Sequence, residues 1–261
     1  MTIPLRRRNR TTRWSPIPLA ALTWFAAVTL ALNAQARIFV ATNSTWRYFK
    51  GTSEASDPTN AWRQLDFDDS AWLAGDAPFH YGTNSAGGDD GQFGGTILSD
   101  MRSNYTCVFL RQSFVIADTN MVITLNLGTY MDDGLVAWIN GVELPRQNAP
   151  YSGELSHTNT ARLSVEASRR TVSLTSFIGA LRNGTNVLAV QALNFHRTND
   201  DFRIDVELAE TPSMFQFFAA TYTVPEAGGQ VVMRVLRTNA LEGGVTVDYA
   251  TTNGTALAGA D

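Results

Sequence analysis

One cysteine in 261 residues, Cys107, cannot close a disulfide within the chain, so no covalent framework supports the fold. Its setting, Tyr105-Thr-Cys-Val-Phe-Leu110, is apolar and suits a small buried hydrophobe better than a nucleophile. Histidine is nearly as scarce: His80, His157 and His196 are the three, far apart and in no metal-ligand spacing. There is no basic excess, since the formal net charge is -4, and a nucleic-acid partner is therefore not expected. Charged residues make up 17% against 44% hydrophobic, too apolar a balance for long disorder. Also missing are a long amphipathic helical period, a G-x-S-x-G elbow, a P-loop, H-E-x-x-H and C-x-x-C. No residue is singled out as catalytic, and the chain is expected not to be an enzyme.

The basic residues that do cluster stand at the N-terminus. Arg6, Arg7, Arg8, Arg10 and Arg13 precede an apolar run from Leu19 to Leu32, then Ala34-Gln35-Ala36. A positive stretch, a short apolar run and an A-x-A pattern are the parts of a secretory signal peptide. The run falls short of the about 20 residues that a membrane-spanning helix needs. Residues 1–36 are accordingly set aside from the fold. Cleavage is expected after Ala36, leaving a mature chain without a membrane span, secreted or held at the cell surface.

What remains reads as strands. Phe202, Ile204, Val206 and Leu208 alternate with Arg203, Asp205 and Glu207, the period of a strand with one face in a core and one in water. Val122–Leu127 alternates in the same way. Asn140-Gly141, between Val136–Ile139 and Val142–Leu144, is a hairpin signal, because a type I′ turn needs positive φ at both central residues. Tyr105–Ile116 and Asn186–Leu193 are further strands, the latter following the turn Asn183-Gly184. Short helical turns are expected only at Asp69–Trp72 and Ser176–Leu181. Trp46, Trp62, Trp72 and Trp138 fit either core packing or stacking on sugar rings, and the area each ring buries favours the core.

Many short strands with turn signals between them predict an all-β chain, a sandwich or jelly roll. A boundary falls at Glu210-Thr-Pro212, giving one domain over 37–210. Residues 213–261 hold three more strand runs, Phe217–Val224, Gln230–Leu236 and Val245–Ala250, too few for a full second core. That second domain is expected to be truncated, with the natural protein continuing past Asp261.

Several segments of the first domain resemble the galactose-binding-like jelly roll, an accessory module of secreted bacterial proteins. They are Thr45-Trp-Arg-Tyr-Phe-Lys50, Ala61-Trp62, Phe67-Asp-Asp-Ser-Ala-Trp72, Phe79-His-Tyr-Gly82, Phe109-Leu-Arg-Gln-Ser-Phe114, Asp132-Asp-Gly134, Val136–Gly141 and Gly184–Val190. The resemblance implies a β-sandwich and a carbohydrate- or surface-binding role. His80 and Tyr81, before a long polar glycine-rich stretch, are candidate ligand-binding residues. Asp132 and Asp133 either hold a sugar hydroxyl or a calcium ion, or are turn residues before a strand. Asp89-Asp90-Gly91 and Asp200-Asp201 carry the same pair of readings.

Residues 215–261 are similar to the opening half of a Calx-beta domain, an immunoglobulin-like β-sandwich. The similarity rests on Phe215–Glu226 with Gly228-Gly229, Val235-Leu-Arg237, Val245–Thr251, Asn253-Gly-Thr-Ala256 and Ala258-Gly-Ala-Asp261. Regulatory members of that family bind calcium, so the resemblance implies a calcium site with Glu226, Asp248 and Asp261 among its ligands. A hard cation of that kind takes about six to eight oxygens. Together these features read as a secreted multidomain binding or adhesion protein whose partner is a glycan or another cell-surface or extracellular component. The alternative is the N-terminal accessory region of a larger secreted hydrolase.

Overall fold

The computed structural model describes residues 2–4, 27–32, 37–82, 94–211, 214–222, 231–238 and 247–252. Regular structure there is almost entirely β. In chain order the strands are β1 (Thr2–Pro4), β2 (Ala27–Leu32), β3 (Ile38–Val40), β4 (Thr45–Lys50), β5 (Leu73–Asp76), β6 (Phe79–Gly82), β7 (Thr96–Ile97), β8 (Cys107–Ile116), β9 (Asn126–Asp132), β10 (Gly134–Ile139), β11 (Val142–Glu143), β12 (Ser168–Ser173), β13 (Gly184–Leu193), β14 (Asp201–Ala209), β15 (Met214–Phe217), β16 (Val232–Thr238) and β17 (Val247–Thr252). Three short 3-10 turns, Ala61–Arg63, Thr119–Met121 and Thr175–Ala180, are the only helical pieces among the described residues. No helix among them is long and apolar enough to cross a membrane.

The chain divides into two compact units, Ala36–Thr211 and a smaller one made of Met1–Gln35 with Pro212–Asp261. The larger unit stacks two sheets. The front sheet has the order β11-β10-β13-β8-β4-β5; the back sheet runs β12-β9-β14-β6-β7, with β3 added beside β14. Apart from the parallel β6–β7 pair, the neighbours are antiparallel.

The front sheet is covered on both sides. Val108, Leu110, Phe114, Leu188, Val190, Leu135 and Ala137 point inward, against Leu127, Met131, Phe202, Ile204 and Val206 of the back sheet. The opposite parity on the same strands, Phe109, Ala189, Leu193, Val136 and Trp138, packs under a second layer made by the loops carrying Trp62, Phe67, Trp72, Leu155 and Ala161. That is why β10 is buried at every position and shows no alternation of apolar with polar residues. Trp62 is the centre of the second layer, with its ring centroid 5.0 Å from Phe109, 5.4 Å from Trp138 and 6.3 Å from Trp72. All four tryptophans named from the sequence are buried, none above 8% exposure, so they pack and do not present sugar platforms.

Arg111 fastens this outer layer. Its Nε donates to Asp69 Oδ2 at 2.7 Å, Nη1 to the carbonyls of Trp62 and of Gln64 (3.0 Å for the latter), and Nη2 to Phe67 O at 3.3 Å. Arg63 lies between the rings of Trp62 and Trp138, 4.1 Å from the latter centroid, and ion-pairs with Glu154 at 2.6 Å. The hairpin β10–β11 turns through Asn140 (φ 51°) and Gly141 (φ 85°). A Cβ on Gly141 would also lie 2.5 Å from the Gln64 side chain.

Two expectations change. The polar face of β14 is covered: Arg203 and Asp205 are 8% and 7% exposed, because Asn43 N–H closes over the Asp205 carboxylate and Arg203 lies on the Tyr130 ring. The strand expected at Val122–Leu127 starts only at Asn126, since Thr119–Met121 turns and Val122 drops into the core. The short turn expected at Asp69–Trp72 is present, closed by Trp72 N–H on Asp69 O at 3.0 Å.

In the smaller unit β15 pairs with β16. Thr2–Pro4 lies beside Val232–Arg234, and Ala27–Leu32 runs antiparallel to Val247–Thr252. Part of the apolar run read as an export signal is thus a strand in this structure. Ala34-Gln35-Ala36 lies outside the described residues.

Candidate functional site

Asp133 organises one corner of the larger unit. It follows the last residue of β9, and its carboxylate accepts three hydrogen bonds: from Val165 N at 2.7 Å, Phe195 N at 2.6 Å and Asn199 Nδ2 at 3.4 Å. Asn148 Nδ2 donates to Asp133 O and to Leu163 O. Three loops therefore converge on one acid. Burial pushes the Asp133 carboxyl above its ordinary range; the two backbone N–H groups and Asp132 oppose this, and the charge of Glu166 adds to it. Two backbone donors and one side-chain amide hold this acid in place, and at 1% exposure it lies beneath the loops it positions.

Asp132 is different. With Glu166 and Asp201 it brings three carboxylate oxygens within 4.8 Å of one another. Asp132 is buried, Asp201 half-buried and Glu166 exposed, so the group opens outward. Arg203 stands directly across the strand pair from Asp132. Three clustered carboxylates are the hard-oxygen chemistry that calcium takes, and the cluster supplies a part of the about six to eight oxygens such an ion needs. Beside it the loops expose apolar surface: Tyr151 is 80% exposed with the Arg162 guanidinium 3.6 Å from its ring centroid, and Leu163 and Phe195 are also exposed.

His80 and Tyr81 are not loop residues. Both lie in β6, 1% and 7% exposed, and neither is open to a ligand. Tyr81 Oη donates to Asn199 O at 2.9 Å and accepts from Asn194 Nδ2 at 2.8 Å. Burial pushes its hydroxyl up to about 12; Asn194 and the charge of Arg102 oppose, and the charges of Asp201 and Asp132 reinforce. Of the four residues read from the sequence in this domain, Asp132 alone reaches the open cluster. Asp201 belonged to an acidic pair noted for its ambiguity. Glu166 was missed: Leu163, Val165 and Ala167 alternate with Ser164, Glu166 and Ser168, a period that places Glu166 on a polar face and carries no mark of a ligand site.

Glu226 and Asp261 lie outside the described residues. Asp248 is in β17, with its Cα opposite Ala31. The polar stretch Thr83–Phe93, including Asp89-Asp90-Gly91, also lies outside them. Cys107 is buried, its Sγ 3.2 Å from His157 O, and burial pushes the thiol up to about 12.

Residues 208–261 match the Calx-beta domain. The Calx-beta match begins inside β14, earlier than the boundary drawn from composition, and runs through β15, β16 and β17. No curated protein matches the chain. Among solved structures, a Bifidobacterium dentium β-glucuronidase complexed with coumarin-3-O-glucuronide is 16% identical with a TM-score of 0.36, covering 62% of this chain and 21% of its own. A Bacteroides uniformis β-glucuronidase is 12% identical with a TM-score of 0.43, covering 84% and 28%. A glycosyl hydrolase family 2 member from Bacteroides cellulosilyticus is 12% identical with a TM-score of 0.41, covering 84% and 31%. The chain thus spans less than a third of each of these enzymes, and at such identities no activity passes from them to it.

Proposed function

We propose that the chain is part of an extracellular binding protein: a β-sandwich that holds a glycan or another surface component through its loops, joined to a calcium-responsive Calx-beta segment. The observation that carries this reading is the Calx-beta match over residues 208–261, directly after a sandwich that forms its own compact unit. The Asp132, Glu166 and Asp201 corner supports it, because clustered carboxylates beside exposed Tyr151 suit hydroxyl-rich ligands and cations alike. The chain binds its partner without chemistry of its own. Glu226, Asp248 and Asp261 are the Calx-beta residues that would hold calcium.

The test is a pair of measurements on the purified protein. Calorimetric melting should show a transition that moves up with calcium and down with chelator, about 2.7 kcal/mol at a hundredfold excess over the dissociation constant. Asp248→Asn should blunt that shift. A glycan array in calcium should show retention without release of reducing sugar. Identical melting in calcium and chelator, with no glycan retained by folded protein, would overturn the proposal; sugar release would make the chain an enzyme.

A further inference from the structure

Arg47 on β4 and Arg111 on β8 stand directly opposite each other in their strand pair. Arg111 shares its face of β8 with Phe109 and Cys107, the face beneath the outer aromatic layer. Where that layer ends, the two arginines line a groove of about 500 Å³ together with Thr45, Asp69, Ala74 and Ser113. Like charges directly opposed across a strand pair destabilise a sheet, so their retention needs a reason. Arg111 has one: Asp69 neutralises it, and three carbonyls occupy further donors. Arg47 does not share that carboxylate. Its Nη1 donates only to Trp72 O, at 3.4 Å, and it has no carboxylate partner among the described residues. The other nearby acid, Asp76, accepts from Thr45 Oγ1 at 2.5 Å and makes no ion pair with Arg47 among the described residues.

The groove therefore offers one guanidinium that has no ion pair among the described residues, on a sheet strand, with the exposed Ser113 on the neighbouring strand and a volume in the range of ligand sites. We propose that it binds an acidic polysaccharide, with Arg47 forking onto a sugar carboxylate or sulfate ester. A guanidinium presents paired donors that match the oxygens of either group. That the anion is carried on a polysaccharide rests on the glycan-binding reading above; that it is an anion rests on Arg47. One such contact is weak, and a polymer with repeated charges compensates by rebinding along its length.

The full chain is titrated calorimetrically with polygalacturonate, dextran sulfate and neutral dextran, as wild type, Arg47→Ala and Arg47→Lys. At least one acidic polymer should bind, and dextran should bind at least about tenfold more weakly. Preference for polygalacturonate identifies the carboxylate, and preference for dextran sulfate the ester. General attraction of polyanions, to which the arginines at positions 6–13 also contribute, is unchanged by Arg47→Ala and is subtracted by that variant. Arg47→Ala should weaken binding about tenfold or more, and Arg47→Lys should fall between, keeping charge but losing the fork. The alanine variant should melt no lower than wild type, because it removes a like charge from beside Arg111; a lower melting temperature with unchanged binding would make Arg47 structural. Dextran bound equally by wild type and Arg47→Ala overturns the groove and leaves the glycan reading standing. No binding of any polymer by folded protein, or acidic polymers bound equally by wild type and Arg47→Ala, also overturns the groove, and the glycan reading is then decided by the array.

Discussion

Asp205 sits on the face of β14 that its alternation assigned to water, yet the fold covers it. Burial pushes its carboxyl above the ordinary 3.8, against the hydrogen bond from Asn43 N–H and the charge of Arg203. Asp133 is shifted the same way. An unfolded chain ionises these groups at lower pH than the folded one. Their contribution to stability is therefore fully present below 3.8 and is lost as pH rises through the folded value. Asp205→Asn keeps an acceptor for Asn43 and removes the titration. Urea unfolding at successive pH should show the variant gaining on wild type as pH climbs through the carboxyl range; a pH-independent difference would contradict the assignment. The sequence could not disclose this burial, because the cover over Asp205 comes from Asn43, 162 residues away. His80 and Tyr81 failed for the converse reason: a strand bounded by glycine and followed by a polar stretch looks like the start of a loop, and only the pairing of β6 with β14 shows otherwise.

Elements with a local signature were legible. Asn140-Gly141 forms its hairpin, and the apolar parity of β14 faces the core. The front sheet was less so, since strands buried on both faces lose the period that marks them. Its outer cover is a loop layer fastened by Arg111 and Arg63, a long-range arrangement with no sequence period at all. Arg111→Ala should destabilise the larger unit by about 1–3 kcal/mol, by leaving the carbonyls of Trp62, Gln64 and Phe67 and the partly exposed Asp69 carboxylate without their donor. Tryptophan emission of the native variant should shift to the red as Trp62 and Trp72 become wet. A variant that melts like wild type, with unshifted emission, would show that the aromatic contacts alone hold the layer. The contrast with Arg47→Ala, one strand away, separates a cation that fastens the fold from one that faces out of it.

At the scale of the whole molecule, the composition shift at Glu210-Thr-Pro212 lies beside the end of the compact unit at Thr211. The unit's other end is as sharply defined. Arg37 donates from Nε and Nη2 to the Glu210 carboxylate at 3.1 and 2.8 Å, its carbonyl accepts from Glu210 N, and its guanidinium lies 5.0 Å from the Phe39 ring centroid. Signal removal after Ala36 would leave this clamp whole, so the exported protein is expected to begin at Arg37. Intact-mass measurement of secreted protein checks this, and a mature N-terminus upstream of Arg37 would refute it. The clamp has a mechanical consequence. β3 and β14 are antiparallel, so the chain arrives at Arg37 and departs after Glu210 on the same side of the sandwich. A pull applied through these two attachment points meets the strand pair at its open end, and the ladder parts one rung after another instead of sliding all at once. The ion pair between Arg37 and Glu210 is the first contact loaded, which makes it the latch that sets the force at which the sandwich begins to unzip.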